Sequence, residues 1–430
     1  MKTVKLATDH NLCSSCGVCK SICPKGSITY HRSNGVYLPT IDNITCISCG
    51  LCAEVCPGLK HKYEPYQTAS ETITGSVIKC HNAWSLDAGL RHVSASGGVV
   101  STITKKLLES GKYDVVFTLD TYDYRDQLQV KPYSAVEYLQ DWNQSSTPKS
   151  RYLPVSHENT IQYLKEHRDA RTIVIGTPCG LRGVQATMDK LRIEKDQHLF
   201  IGLFCDKVFN YNVIQYFNDI YSPDIPIEAL HFKNKESGGW PGDMKFFPKN
   251  EEPFYRPLSD RAKAKSYFMP ERCLYCVDKL NVCADISVGD NYTGQNESEL
   301  GSNSVIIRTQ KGIAAWKTAE NCLEFRRIDI SAIQMAQAID RRLENLYFGD
   351  LHSVEYSHAD LNPGIPREKS ADEYCSAWKQ ALRKLQAGAV YCSDPIILKK
   401  QIKCDNKKPN PLIRFIKRGV RWIKQHIIKL

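Results

Sequence analysis

The spacing of apolar residues changes period several times along the chain, and each change marks an element. In "VSASGGVVSTITKKLLESGKYDVVFTL" a Ser/Gly loop runs into a helical period with Val99, Val100, Ile103, Leu107 and Leu108 on one side. Gly111 ends that helix, and "YDVVFTL" predicts a buried strand. "RTIVIGTPCGLRGVQATMDKL" repeats the order: strand, tight turn, helix. The strand "HLFIGLFC" follows, and "NSVIIRTQKGIAAW" again gives strand then helix. Such alternation predicts an α/β domain whose sheet is covered by helices. Near the start, "SITYHRSNGVYLPTI" places Asn34-Gly35 between two short strand-like runs, which predicts a hairpin. At the other end, "NPLIRFIKRGVRWIKQHIIKL" sets Ile416, Val420, Ile423, Ile427 and Leu430 on one helical face among Arg and Lys.

Length and composition narrow the class. A chain of 430 residues exceeds one ordinary core, and 42% hydrophobic with 24% charged residues are globular values. No run of 18 apolar residues occurs, and "MKTVKLATDH" lacks the apolar core of a secretory signal, so a cytoplasmic location is expected. The net charge of +10 belongs to the tail. Residues 407–430 hold eight Lys or Arg and no acid, and without them 49 basic residues face 47 acidic ones. The body therefore offers no electrostatic attraction to a polyanion, and nucleic acid is not expected as a partner.

Cysteine usage changes the picture most. Of 18 cysteines, eight fall in the first 56 residues. Cys13, Cys16, Cys19, Cys23 and Pro24 recur as Cys46, Cys49, Cys52, Cys56 and Pro57, so C-x-x-C-x-x-C-x-x-x-C-P occurs twice. Three cysteines at this spacing present three sulfurs to one cubane face, while the fourth leans toward the neighbouring cluster. Two crossed 4Fe-4S clusters follow: Cys13, Cys16, Cys19 and Cys56 on one, Cys46, Cys49, Cys52 and Cys23 on the other. A tetrahedral zinc site has no use for the third evenly spaced cysteine or the exchanged fourth. The fold class is therefore α+β / α/β, a small two-cluster ferredoxin domain followed by a larger mixed α/β domain. Polar "KHKYEPYQTASETITG" reads as the linker between them.

Four later cysteines stand apart. Cys179 opens the helix after "GTP", Cys205 ends a strand, and Cys273 with Cys276 forms a C-x-x-C. By spacing these are either a third cluster site, with Cys283 as a substitute ligand, or zinc and inert buried thiols. Cys80, Cys322, Cys375, Cys392 and Cys404 have no partner spacing and read as packing residues. Ser94, Ser96, Gly97, Gly98 and Thr102 surround a helix start, which suits a phosphate or serves only as an N-cap and turn.

"SASGGVVSTITKKLLESGKYD", "GTPCGLRG", "IGLFC", "FKNKESGGW" and "CLYCVDKLNVCADISVGD", in this order, resemble the family of coenzyme F-420 hydrogenase/dehydrogenase beta subunits over roughly residues 75–320. The resemblance implies an iron-sulfur flavoprotein with FAD, the Ser/Gly loop against the nucleotide and Cys179, Cys205, Cys273 and Cys276 on a third 4Fe-4S cluster. It also implies that Asp285 and Asp290 of "ADISVGD" lie beside the flavin or its cluster, or else cap a loop, and that Trp240 either stacks or packs. Gly180, Asp206-Lys207 and "DNYTG" depart from the family pattern, so the substrate pocket is expected to differ.

Together these readings divide the chain into a two-cluster domain (1–66), an FAD and 4Fe-4S domain (67–405) and a basic amphipathic tail (406–430). The implied function is electron transfer between clusters and FAD, reducing an unidentified small-molecule substrate. The alternative is an electron-transfer subunit that meets coenzyme F-420 or a similar carrier within a complex. Partners are an external electron donor or acceptor such as ferredoxin or coenzyme F-420, and the tail suggests peripheral membrane contact at the inner face. No catalytic acid or base stands out.

Overall fold

The computed structural model describes residues 2–59, 73–140, 149–342, 345 and 371–406. The expected linker falls almost wholly on residues outside these, as does the expected domain boundary at 66/67. The amphipathic tail also lies outside them, apart from Asn406.

The first element pair is the hairpin that the Asn-Gly turn predicts. Strands β1 (Ile28–Ser33) and β2 (Val36–Ile41) pair antiparallel with Ser33 opposite Val36. Asn34 and Gly35 then turn at φ of 50° and 74°, the left-handed region a two-residue turn needs. Tyr211 N–H donates to the Gly35 carbonyl at 2.6 Å, which seats the hairpin tip on the larger body.

That body is built from β3 (Lys79–Ser85), β4 (Val115–Thr118), β5 (Leu128–Gln129), β6 (Lys131–Ser134), β7 (Val155–Ser156), β8 (Thr172–Gly176) and β9 (His198–Leu203). It continues through β10 (Ile227–Asn234), β11 (Asp243–Pro248), β12 (Phe254–Arg256), β13 (Ile286–Asp290), β14 (Asn303–Ile307) and β15 (Leu323–Arg327). Eight of these form one mixed sheet in the order β15-β3-β14-β13-β9-β8-β4-β6. Its centre, β13-β9-β8-β4, is parallel, and the flanking strands are antiparallel. β10, β11 and β12 form a separate antiparallel sheet.

Both faces of the central sheet are buried, and alternate residues serve alternate cores. Val116, Ile173, Leu199 and Ile201 face Ile103, Leu107 and Trp316 of the helices Val99–Glu109 and Gln310–Ala319. Phe117, Val174 and Phe200 face the other way, toward Leu181, Val184 and Met188 of the helix Pro178–Leu191. Val18, Ile22, Val55 and Leu59 of the cysteine-repeat region join this second core, so that region is one of the layers covering the sheet. A third core of aromatics, including Phe209, Phe217, Phe232 and Phe246, lies beneath the small sheet. Among the described residues no helix is long and apolar enough to cross a membrane.

The architecture is thus the expected one: a small ferredoxin-like region and a larger mixed α/β domain. What the apolar pattern did not show is that the two share a core.

Candidate functional site

The two copies of the cysteine repeat fold alike because the same backbone irregularities recur in each. Ser15 and Ser48 sit at φ of 57° and 54°, and Gly17 and Gly50 both at 80°. Each glycine opens a short helix, Val18–Ile22 and Leu51–Glu54. In both loops the serine N–H turns back to the first sulfur: Ser15 N donates to Cys13 Sγ and Ser48 N to Cys46 Sγ, each at 3.4 Å.

The structure brings Cys13, Cys16 and Cys19 together with Cys56, across the repeat. Burial and the neighbouring Cys56 together push the Cys16 thiol up to about 12; Cys13 is driven well above the ordinary thiol range by the same two causes. Cys19 is also raised by burial, and Tyr30 OH lies 2.8 Å from its sulfur. Cys23, Cys46, Cys49 and Cys52 line a second, small cavity. Cys52 is raised by burial, accepts from Val4 N–H at 3.4 Å, and has Cys49 and Cys23 as its neighbouring thiols. The inner four are all buried, whereas Cys23, Cys46 and Cys49 are partly exposed, and Ile44 and Ile47 beside Cys46 are 95% and 58% exposed.

The later four cysteines also converge, although 97 residues of sequence separate the first from the last. Cys179 sits in the first turn of the helix Pro178–Leu191, Cys205 just beyond β9, and Cys273 and Cys276 around the short helix Arg272–Tyr275. Burial raises Cys205 strongly, with Cys273, Cys179 and Cys276 next; Cys273 is pushed up to about 11. Cys283, the substitute ligand, stands among Arg182, Asp278 and Arg308 instead. Among the described residues no three His, Cys, Asp or Glu side chains close on one point as a single metal ion requires. A cubane binds its cysteines through separate irons, so its ligands stand farther apart.

The inner set and the later set adjoin. Cys13 and Cys16 both feel Cys179, and His157 N–H donates to the Cys16 carbonyl at 2.9 Å. Arg272, buried between them, donates to the Pro57 carbonyl at 3.3 Å and favours the thiolates of Cys56, Cys179 and Cys273.

Cys205 in turn belongs to the wall of a cavity of about 270 Å³. The cavity opens at the C-terminal ends of the parallel strands, where Thr118, Gly176, Leu203 and Asp290 line it, the usual place for a ligand in such a sheet. Ser94, Ser96 and Gly98 line it with the first turn of the helix Val99–Glu109.

Three expected site residues lie elsewhere. Gly97 packs tightly on the Ala83 carbonyl and Asn303. Thr102 donates its hydroxyl to the Gly98 carbonyl at 3.0 Å, as a helix residue one turn in readily does, and its Oγ1 lies 2.9 Å from Ser85 Oγ. Asp285 accepts from Phe200 N–H at 2.9 Å and from Thr309 Oγ1 at 2.6 Å. β13 separates the two aspartates of "ADISVGD" by about 16 Å, at 3.3 Å per residue. Only Asp290 reaches the cavity, where Lys233 Nζ holds it at 2.6 Å and keeps its carboxyl below the usual range against the cost of burial. Trp240 packs on Tyr292, with ring centres 5.0 Å apart.

Other wall residues had no sequence signal of their own. Lys149, Arg151 and His157 are isolated in a stretch without motif, and Lys207 was visible only as a departure from the family pattern. His157 is buried and its ring is held neutral, its pKa pushed down to about 4 by burial. The missing side chain of Gly180, another departure, leaves room for this ring.

Known proteins resemble the chain in these same regions. The model of the C terminus of the beta subunit of coenzyme F420 hydrogenase/dehydrogenase matches residues 169–331, and its N-terminal counterpart matches 80–136. A 4Fe-4S dicluster domain matches residues 12–58. The chain is 26% identical to the F subunit of the F(420)H(2) dehydrogenase of Methanosarcina mazei over 311 residues, 70% of this chain and 81% of that protein. It is 24% identical to the coenzyme F420-dependent sulfite reductase of Methanocaldococcus jannaschii over 373 residues, 78% of this chain and 52% of that protein, so it spans about half of that relative. A chain of the F420-reducing [NiFe] hydrogenase complex from Methanosarcina barkeri aligns with a TM-score of 0.46 at 19% identity, over 64% of this chain and 93% of that one.

Proposed function

From the premise that the chain belongs to the family of coenzyme F420 hydrogenase/dehydrogenase beta subunits, with a 4Fe-4S dicluster region ahead of it, we propose a self-contained electron wire. It is an iron-sulfur electron-transfer protein. The finer reading is that three 4Fe-4S clusters, held by the three cysteine sets, feed FAD in the cavity, which reduces an organic substrate. The observation that carries it is contiguity: Cys52 of the partly exposed outer set neighbours Cys56 of the buried inner set, Cys13 and Cys16 neighbour Cys179, and Cys205 beside Cys179 lines the cavity.

The residues fit these groups by their chemistry. Twelve thiols in three sets are the donors that 4Fe-4S clusters use, and burial raises thiols that only cluster iron would keep as thiolates. For the flavin nucleotide, the first helical turn offers the Ser101 hydroxyl and a positive dipole end to phosphates, whereas Ser94 and Ser96 line the cavity with hydroxyls already given to the carbonyls of Leu90 and Ser302 at 2.7 Å. Val130, Leu153, Leu203 and Val288 offer an apolar wall to a ring. Bound FAD would exchange single electrons with the clusters and two with a substrate.

The chain's own part is to order and tune these centres. N–H donors from Ser15, Ser48 and Val4 to sulfur stabilise the reduced, more negative state of a cluster. Arg272 does the same where electrons pass from the inner set to the Cys179 set. Apolar packing around the inner cysteines excludes water. Exposed Ile44 and Ile47 beside Cys46 mark the face where an external carrier approaches.

Anaerobically purified protein should carry about 12 iron atoms and one FAD per chain. Zinc in place of iron, or no flavin released by acid, would overturn this reading. A second reading is supported by the relative named as part of a dehydrogenase: the chain passes electrons between a partner complex and an F420-type carrier. Anaerobic reoxidation of the reduced protein by F420, set against candidate metabolites, separates the two.

A further inference from the structure

A buried cation in the cavity wall has no partner among the described residues. Lys149 is 8% exposed and lines the cavity, yet its ammonium makes no hydrogen bond and no ion pair with any of them. Four cations around it are engaged. Lys233 holds Asp290 at 2.6 Å, and Lys245 is paired with Glu236. Lys235 donates to the carbonyls of Ser96 at 3.0 Å and Leu300 at 2.7 Å. Arg151 donates to the Thr121 carbonyl at 3.1 Å and lies over the Tyr122 ring at 4.1 Å. Burial of an unpaired ammonium is unfavourable, so a fold that keeps one in a cavity wall retains it for a counter-charge that arrives from outside.

A second observation points the same way. Another part of the wall is the Ser94–Gly98 loop and the start of an 11-residue helix, whose N-cap Gly98 supplies no side-chain hydrogen bond and whose first N–H, of Val99, donates to Asn303 Oδ1 at 3.3 Å. Lys235 links the two, since it is bonded to Ser96 and, after burial, Lys149 is the charge that lowers it most. A helix start and a lysine facing one cavity are the usual elements of a phosphate site.

We propose that Lys149 is the anion anchor of this cavity and binds a phosphate-type oxyanion, either the pyrophosphate of a bound dinucleotide or the charged group of a separate substrate. This rests on the cavity being the ligand chamber of the reading above. Burial, opposed by the Glu236 carboxylate and reinforced by Lys245 and Arg151, pushes the Lys149 pKa down to about 8.

The test compares the full chain with Lys149→Gln and Lys149→Arg, titrating FAD and, separately, inorganic pyrophosphate into flavin-free protein. Iron content should hold in both variants, because no cysteine set touches Lys149; the thermal midpoint without ligand should hold in Lys149→Arg and hold or rise in Lys149→Gln, which removes a buried unpaired charge. Lys149→Gln should weaken at least one of the two ligands tenfold or more, and Lys149→Arg should recover most of it. Loss of FAD affinity assigns the anchor to the dinucleotide. Loss of pyrophosphate affinity alone assigns it to a separate anion. If wild type binds no FAD but binds pyrophosphate through Lys149, the flavin reading falls and the anchor stands. If both affinities stay within twofold in Lys149→Gln, or wild type binds neither ligand, the proposal is overturned.

Discussion

At the scale of single residues, the sulfur sites are set by what touches each sulfur. Tyr30 places its hydroxyl 2.8 Å from the sulfur of Cys19, itself a buried residue of the inner set. A hydroxyl donated to a cluster ligand stabilises the added electron, and a hydrogen bond contributes about 0.5–1.5 kcal/mol. Tyr30→Phe should therefore lower the midpoint potential of one cluster by roughly 20–60 mV for a one-electron couple, with the others unmoved. An EPR-monitored redox titration in which all potentials coincide with wild type would show that this contact does not tune the centre. The residue scale is also where the sequence was least legible. Lys149, Arg151 and His157 sit in no motif, and only the fold carries them to the cavity that Ser94, Ser96 and Asp290 also reach.

At the scale of elements, the key contact is between the repeat region and the helix Pro178–Leu191. Gly183 of that helix faces Val18 and Cys16; a Cβ there would stand 3.1 Å from the Val18 methyls and 3.6 Å from Cys16 Sγ. Close approach here keeps the inner cysteines near Cys179, one turn earlier in the same helix. Gly183→Leu should cost about 1–3 kcal/mol through overpacking. If the cavity holds FAD as proposed, it should also slow reduction of that flavin by the N-terminal clusters while leaving iron content intact. Gly238→Ala, where a Cβ meets open space, is the control and should change neither. Stopped-flow reduction at wild-type rate in the Gly183 variant would separate this contact from electron transfer. The helices and strands themselves were readable from their periods, from Val99–Glu109 to Asn303–Ile307, because both faces of the sheet are buried and local pattern and global core agree.

At the scale of the whole molecule, sequence segments and hydrophobic cores do not coincide. Val18, Ile22 and Val55 share a core with Leu181, Val184 and Met188, so the N-terminal region closes one face of the sheet. A chain lacking residues 1–59 should expose this apolar surface, and it should accumulate as insoluble or ANS-binding protein rather than as a compact yellow domain. A soluble, cooperatively melting fragment would show that the shared core is dispensable. The same arrangement holds the sulfur path in place, since packed side chains and the His157 to Cys16 hydrogen bond join the inner set to the larger body.

The sequence by itself determined the class of chemistry in the N-terminal region, a 4Fe-4S dicluster: spacing within a short loop leaves few geometries, so the repeated C-x-x-C-x-x-C-x-x-x-C-P already predicts the donors and their crossing. It also determined the strand and helix order, which periodicity encodes locally. The tertiary structure alone decided which distant residues meet. It joined Cys179, Cys205, Cys273 and Cys276, separated Asp285 from Asp290 by the length of a strand, and brought Lys149 to the Ser/Gly loop's cavity. The reason is physical: local spacing restricts neighbours through bond geometry, whereas contacts between distant segments follow from how the buried faces of a whole sheet are covered.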